Sequence, residues 1–183
     1  CRVAEKLRSM RRDATYPMMD VELRKRQITP NKEQMVYFER VRNMSQAVIT
    51  VTPLTGEDMY ELFKLEDEAR DKYVDKHLDR SNQKVFKHYF DLYDTPAEFE
   101  YRTDSIAIGK FPVGVYLVEV TPKWSPRADF VTEMKSERRL MFVSALTFLA
   151  VTLPQKRTRI VVVNATTGLP VAGAALKITD RDG

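Results

Sequence analysis

The sequence is poor in the residues that carry most protein chemistry. Its 183 residues include one cysteine, Cys1, two histidines, His77 and His88, and six glycines. A single cysteine excludes an internal disulfide and any zinc site that needs a cysteine pair. The histidines do not form an H-E-x-x-H pattern. We therefore interpret His77 as the end of a helix and His88 as an ordinary strand residue.

Motifs for nucleotide and acyl-transfer chemistry are missing as well. The sequence contains no G-x-G-x-x-G, G-x-x-x-x-G-K-[ST] or G-x-S-x-G pattern, and its few glycines offer little material for a phosphate-binding loop. We therefore predict that the chain is not an enzyme. No residue is assigned to a catalytic, cofactor-binding or metal site.

Long apolar runs are also absent. No stretch approaches the ~18 apolar residues of a membrane-spanning helix, and no secretion signal with a basic start and an apolar middle is present. The net charge is +4, from 30 basic and 26 acidic residues. These charges are interspersed, and only Arg24–Arg26 forms a compact positive run, so we expect neither a direct membrane span nor a nucleic-acid partner.

The sequence does contain several β-rich segments whose residues alternate between two faces of a strand. The central example is Ile106–Val120, IAIGKFPVGVYLVEV, where two β-rich runs meet at Pro112 and Gly114. Because Pro112 fixes φ and Gly114 leaves it free, the segment is predicted to be a hairpin or a strand-to-strand corner. The run after Gly114 has the two-residue period of a strand buried mostly on one face. The expected fold class is mainly β, as an antiparallel β-sandwich.

Two segments are predicted to be helical. Residues 1–16 carry a narrow apolar stripe at helical spacing, typical of a connector helix that packs on the edge of another element. A second helix is predicted at about residues 56–78, with Thr55 as its N-cap and Asp58 three residues later. Acidic residues in its first turns and basic residues in its last complement the helix dipole.

Strand-like runs fill much of the remaining chain. QMVYFERV and QAVITVTPL, separated by RNMS, are predicted to form a hairpin. Residues 121–139 are predicted to be a long polar loop, and a tryptophan in such a loop, Trp124, is a candidate partner contact. A domain boundary is placed near Pro154. The predicted organisation is a connector helix at 1–16, a β-sandwich at 17–154 and the incomplete start of a second β-sandwich at 155–183.

Three stretches together resemble one protein family. ATTGLPVAGAALKITDRDG is similar to the early strand pair of macroglobulin-type domains, in which Gly168, Pro170 and Gly173 would be the turn residues. Carboxypeptidase-regulatory-like and collagen-adhesin modules share this run. FPVGVYLVEV resembles the strand that closes the preceding domain, and VRNMSQAVITVTPL resembles an early strand element of that domain. In their order along the chain, VRNMSQAVITVTPL, then FPVGVYLVEV, then ATTGLPVAGAALKITDRDG, the stretches resemble the N-terminal portion of Bacteroides-type alpha-2-macroglobulin-like proteins.

The resemblance implies a fold and a function. The fold would be a macroglobulin- or immunoglobulin-like β-sandwich with a helical insertion. The chain would be a non-catalytic scaffold fragment of a protease-trapping endopeptidase inhibitor of the cell envelope, periplasmic, anchored to the outer membrane, or secreted. Its partners would be neighbouring domains of the same longer chain, and proteases in the full-length protein.

Two alternatives stay open at this point. Cys1 is either an arbitrary starting point or the acylated cysteine of a lipoprotein, and no Cys-x-x-Gln thioester motif is present in the sequence. The rival function is a cell-surface adhesin or glycan-binding β-sandwich module, in which Trp124 and tyrosines would form a binding platform.

Overall fold

The computed structural model describes residues 2–25, 27–90, 101–124 and 135–178. The prediction of a mainly β protein is confirmed, with 51% of residues in strands and 20% in helices. In chain order the elements are α1 (Arg2–Thr15), β1 (Met18–Glu22), β2 (Gln27–Ile28), β3 (Gln34–Arg42), β4 (Met44–Leu54), α2 (Gly56–Lys64), α3 (Asp67–His77), β5 (Lys84–Tyr89), β6 (Arg102–Gly109), β7 (Gly114–Trp124), β8 (Glu137–Val143), β9 (Leu146–Leu153) and β10 (Arg157–Asn164).

The described strands form three sheets. The first has the order β1-β3-β6, the second β2-β8-β7-β4-β5, and the third is the pair β9-β10. Neighbouring strands pair antiparallel, except that β2 and β8 make a short parallel contact. The third sheet is separate from the other two.

One apolar core joins the first two sheets. Val36 and Phe38 of β3 and Val118 and Val120 of β7 are fully buried in it. The residues that alternate with them along β3 are less buried, as expected for strands with one face toward a core. Fully burying a side chain of this kind contributes about 1.5–3 kcal/mol, so this shared core is the main source of stability.

The predicted hairpin between β3 and β4 is wrong. β3 pairs with β1 and β6 in the first sheet, whereas β4 pairs with β5 and β7 in the second. The single residue between them, Asn43, has φ = 53°, a left-handed conformation that asparagine tolerates better than most residues. The chain therefore changes sheet at Asn43. Two alternating runs separated by a short polar segment are compatible with a hairpin and equally with a corner between two sheets, so the sequence did not distinguish them.

The segment from β6 to β7 is also a corner, one of the two geometries predicted for it. Here the structure corrects the role of Gly114. The positive φ belongs to Gly109, at 87°, and not to Gly114. A Cβ at Gly114 would lie 3.3 Å from the hydroxyl of Tyr116, which donates a hydrogen bond to the carbonyl oxygen of Pro112 at 2.9 Å. Gly114 therefore provides room for a side chain rather than backbone freedom.

The predicted helix at about residues 56–78 is two helices. α2 stops because Leu65 is extended (φ −79°, ψ 142°), and α3 begins after Glu66. The predicted N-cap of α2 is confirmed. The Thr55 hydroxyl oxygen accepts from the Asp58 amide at 3.1 Å, and the Asp58 carboxylate accepts from the Thr55 amide at 2.9 Å. The capping residues Thr55 and Asp58 located the start of α2, but the local sequence did not indicate the break at Leu65.

The N-terminal helix is confirmed as α1, but its expected packing is not. Val3, Leu7 and Met10 are 74%, 61% and 58% exposed, so its apolar stripe is open to solvent in the part of the chain that is described.

The predicted polar loop at 121–139 is wrong at both ends, since Thr121–Trp124 continue β7 opposite β4 and Glu137–Arg139 begin β8 opposite β7. Pairing of Thr121 with Val48 and of Pro122 with Ala47 extends β7. Residues 125–134 lie outside the described part of the chain.

Candidate docking surface

The third sheet is a two-stranded ribbon with continuous pairing. Eight antiparallel register pairs run from Leu146–Asn164 at its base to Leu153–Arg157 at its tip. The tip turns through Pro154–Lys156, where Gln155 (φ 65°) and Lys156 (φ 57°) are both left-handed. The predicted domain boundary near Pro154 thus falls at the tip of this ribbon, and the division of the chain into domains stays a prediction.

Both faces of the ribbon carry apolar side chains, with Arg157 and Arg159 on one face near the tip. Phe148 lies opposite Val162 on one face, and Leu149 lies opposite Val161 on the other. On β9, Phe148, Leu149 and Val151 are 63%, 58% and 53% exposed. A sheet that solvates one face normally carries polar residues there. β9 instead places exposed apolar side chains on both faces of the ribbon.

The base of the ribbon is fixed to the rest of the protein. The Gln27 side-chain amide donates to the carbonyl oxygen of Leu146 at 2.8 Å, and the amide of Ser144, just before β9, donates to the carbonyl oxygen of Ile28 at 2.9 Å. The tip, by contrast, projects with exposed residues on both strands. Because an isolated two-stranded hairpin is marginal in water, the exposed part of the ribbon is a candidate docking surface.

The two edges of the ribbon differ. After β10 the chain turns back, and Pro170 forms a bridge with Val163 while the Val171 amide donates to Val162 at 2.9 Å. β10 also starts with Arg157 and Arg159, whereas Leu146–Leu153 of β9 contains no charged residue. An uncharged strand without proline or glycine lacks the usual features that discourage edge pairing.

The other predicted turn residues lie near the base of the ribbon. Gly168 (φ 73°) closes the turn in which the Asn164 side chain accepts from the amides of Thr166 and Thr167, at 2.9 and 3.0 Å. Gly173 has φ = 71°. Both positions therefore have the backbone conformation that favours glycine.

The side chain of the candidate contact Trp124 lies outside the described part of the structure. The backbone of Trp124 ends β7, in register with Met44. The rings of Tyr37 and Tyr101 each lie under a guanidinium group, that of Arg24 at 3.9 Å and that of Arg42 at 4.9 Å. One face of each of these rings is therefore already occupied, which does not favour the glycan-binding alternative.

Both histidines contact a neighbouring aromatic ring. His88 Nε2 lies 2.7 Å from Asp104 Oδ2, and its ring stacks on Phe38 at 5.3 Å. It links β5 of one sheet to β6 of the other. His77 ends α3, with its ring 5.2 Å from that of Tyr73.

An ion-pair network that the sequence did not reveal connects α3 to the second sheet. Arg138 of β8 donates from Nε to Glu119 at 2.7 Å, from Nη1 to Asp71 at 2.5 Å and from Nη2 to Asp75 at 2.5 Å. Arg80 adds a contact of 3.3 Å to Glu119. The Asp71–Asp75 spacing, one helical turn, was the available signal, but nothing local identifies Arg138 as the partner.

These contacts stabilise the charged form of Arg138. Burial by itself lowers the pKa of its guanidinium, but the hydrogen bonds to Glu119 and Asp71 outweigh burial, and the pKa is raised above its ordinary value. Like any arginine, Arg138 is a cation in the protein, and these contacts add to the stability of that charge. Since Glu119 is also largely buried, the pair lies in a partly desolvated position at the contact between helix and sheet.

Within the described ranges, no group of three or more His, Cys, Asp or Glu side chains is arranged to hold a metal ion. None of the helices described has the length and hydropathy needed to cross a membrane. Comparison of the chain with protein-family models, with curated proteins and with solved structures finds no match.

Proposed function

We propose that this chain is a non-catalytic scaffold module of an alpha-2-macroglobulin-like protease trap. In this proposal the first two sheets are the layers of a macroglobulin- or immunoglobulin-like antiparallel sandwich. The shared core of the two sheets and the chain crossings at Asn43 and after Gly109 support that assignment. The sequence resemblance of the turn around Gly168 and Pro170 supports the family.

The observation that carries the proposal is the apolar ribbon β9–β10. The apolar side chains on its two faces suit a position between layers of protein. The partner that packs on the ribbon would be a neighbouring β-domain of the same longer chain. Such a domain would bury Phe148 on one side and Leu149 and Val151 on the other. Burial of apolar surface yields about 25 cal/mol per Å², so covering this ribbon would stabilise both domains. The open stripe of α1 provides a second surface of the same kind.

The wider setting follows from the family proposal. The protein would act in the cell envelope, periplasmic or anchored to the outer membrane, or after secretion. The bait segment and any thioester would lie in other domains of the full-length protein. The role of this module would be mechanical: it would hold neighbouring domains in place while the trap closes around a protease.

The test compares two lysine variants in the full-length gene product. Phe148→Lys places a charge on the ribbon, and Val113→Lys, at a residue that is 65% exposed in the corner before β7, is the matched control. A physical trap shields a bound protease from protein substrates but leaves small peptides accessible. We expect the unmodified protein and Val113→Lys to show this difference, and Phe148→Lys to lose protection of the protein substrate.

Two outcomes would contradict different parts of the proposal. If the full-length protein hydrolyses or ignores proteases without shielding them, the trapping function is wrong. If shielding occurs and both lysine variants retain it equally, trapping stands but docking through the ribbon is wrong. Hydrogen exchange of β9, slower in the full-length protein than in the 183-residue chain, would report docking directly.

A further inference from the structure

We propose that α2 and α3 form a lid that opens from the second sheet as one body, and that Arg138 is the latch that holds it closed. This inference is independent of the proposed function.

The two helices are tied to each other. The Arg70 guanidinium of α3 donates to the carbonyl oxygens of Leu62 at 3.0 Å and Leu65 at 2.8 Å, which lie at the C-terminal end of α2. At the other end of α2, Asp58 accepts from the hydroxyl of Tyr73 at 3.0 Å. Contacts at both ends of α2 make the pair one rigid unit.

The apolar contact between this unit and the sheet is small. Leu62, Val74 and Leu117 are its fully buried members, and Leu54 and Leu140 are among the partly buried side chains around them. The main core, by comparison, contains nineteen buried residues in the described part of the chain. Regions with few buried apolar contacts open locally at a lower free energy than the whole protein unfolds.

Charged contacts cross the same boundary. Arg138 belongs to the sheet, and two of its three carboxylate partners, Asp71 and Asp75, belong to α3. Its side chain is 19% exposed, while those of Asp71 and Asp75 are 49% and 60% exposed. Salt and water therefore reach the helix side of the latch, and the third partner, Glu119, keeps the guanidinium in place on the sheet.

The ends of the lid lie on strands that already pair with each other. α2 and α3 connect β4 to β5, and these strands are antiparallel neighbours from Gln46–Tyr89 to Val51–Lys84. The lid can therefore lift without breaking that ladder. Opening would uncover Leu117 and Leu140 on the sheet, an apolar strip that the closed lid covers.

The test is amide hydrogen exchange, followed by mass spectrometry, on the intact protein and on Arg138→Gln. We expect exchange in residues 56–78 to rise about tenfold or more, as for the loss of charge-assisted contacts at a partly buried site, while β4 and β7 keep their protection. Arg139→Gln is the matched control. Arg139 lies next in the same strand and pairs with Glu137 of that strand at 2.8 Å, so we expect little change.

Ionic strength separates a latch from a merely structural residue. Raising NaCl from 0.1 to 1 M shortens the screening length from about 10 Å to about 3 Å, so exchange in residues 56–78 of the unmodified protein should accelerate. Arg138→Gln should lose most of this response. Asp75→Asn, which removes one exposed partner, should accelerate exchange less than Arg138→Gln and serves if that variant fails to fold.

Three results would overturn the proposal. One is equal acceleration in the helices and in β4 and β7, which would mean global destabilisation. Another is an unchanged salt response in Arg138→Gln or, if only Asp75→Asn folds, in that variant. The third is separate exchange behaviour of α2 and α3, which would show that they do not move as one unit.

Discussion

Removal of the Phe38 ring tests whether the first two sheets depend on one core. Phe38 is fully buried in β3, and its ring contacts His88 at 5.3 Å and Phe90 at 5.2 Å, both beyond the sheet to which Phe38 belongs. Phe→Ala at buried sites costs about 3–5 kcal/mol through lost transfer energy and the remaining cavity. We expect Phe38→Ala to lie in the upper half of this range, because both ring contacts are lost with it.

A second substitution separates the aromatic contribution from the volume. Phe38→Leu keeps most of the apolar volume but loses both ring contacts, at about 0.5–1.5 kcal/mol each, so its expected cost is about 1–3 kcal/mol. Phe63→Ala on α2 is the control, since Phe63 is 55% exposed and its loss should cost no more than about 0.5 kcal/mol.

The assay is urea unfolding followed by fluorescence and by circular dichroism, with the free energy of unfolding compared at a constant m-value. Stabilities of 5–15 kcal/mol are typical of domains, so Phe38→Ala is expected to shift the midpoint strongly. If Phe38→Ala and Phe63→Ala cost the same within 1 kcal/mol, the two sheets do not share the core described. If only one of the two sheets loses structure in Phe38→Ala, they are not one cooperative unit.

Two further predictions concern local structure. Gly109→Ala should lower the free energy of unfolding by more than the roughly 1 kcal/mol of an ordinary site, because the φ of Gly109 is 87°. Gly114→Ala should lower it by less, because only the end of the Tyr116 side chain must move. Chemical denaturation of the two variants measures both values. Burial by itself raises the pKa of Asp58, but hydrogen bonds from Thr55 outweigh it and hold the pKa below 3.8. The folded state thus favours the carboxylate, and this contribution is complete above the unfolded pKa and is lost as the pH falls through the lower folded pKa. We expect α2 to lose exchange protection below about pH 4 and Asp58→Asn to lack that acid-dependent step; an equal acid response in both proteins would contradict the capping role.

Much of the local structure was predictable because its causes are local. Alternation identified strands, since successive side chains of an extended chain point to opposite faces. Thr55 and Asp58 located the start of α2, since a capping box needs only residues three apart. The break at Leu65 was not predicted, because the hydrogen bonds that stabilise it come from Arg70, on the following helix.

The partners of each strand were not predictable in the same way. RNMS separates two alternating runs equally well in a hairpin and in a corner, and the choice depends on which sheet can bury the next face. β9 shows the limit clearly. Its consecutive apolar residues predict a buried strand, yet in the described chain its only pairing is with β10, and the burial that its composition requires depends on what covers the ribbon.

By itself, then, the sequence determined the secondary structure that depends on periods of two to four residues: a mainly β chain, an N-terminal helix and a capped α2. Only the tertiary structure decided the distribution of strands among three sheets and the contacts of Arg138, whose helix partners lie 67 and 63 residues away in the chain. Local conformation follows from sterics and nearby hydrogen bonds. Long-range pairing instead follows from competition among all apolar and charged surfaces for burial, which no short segment records.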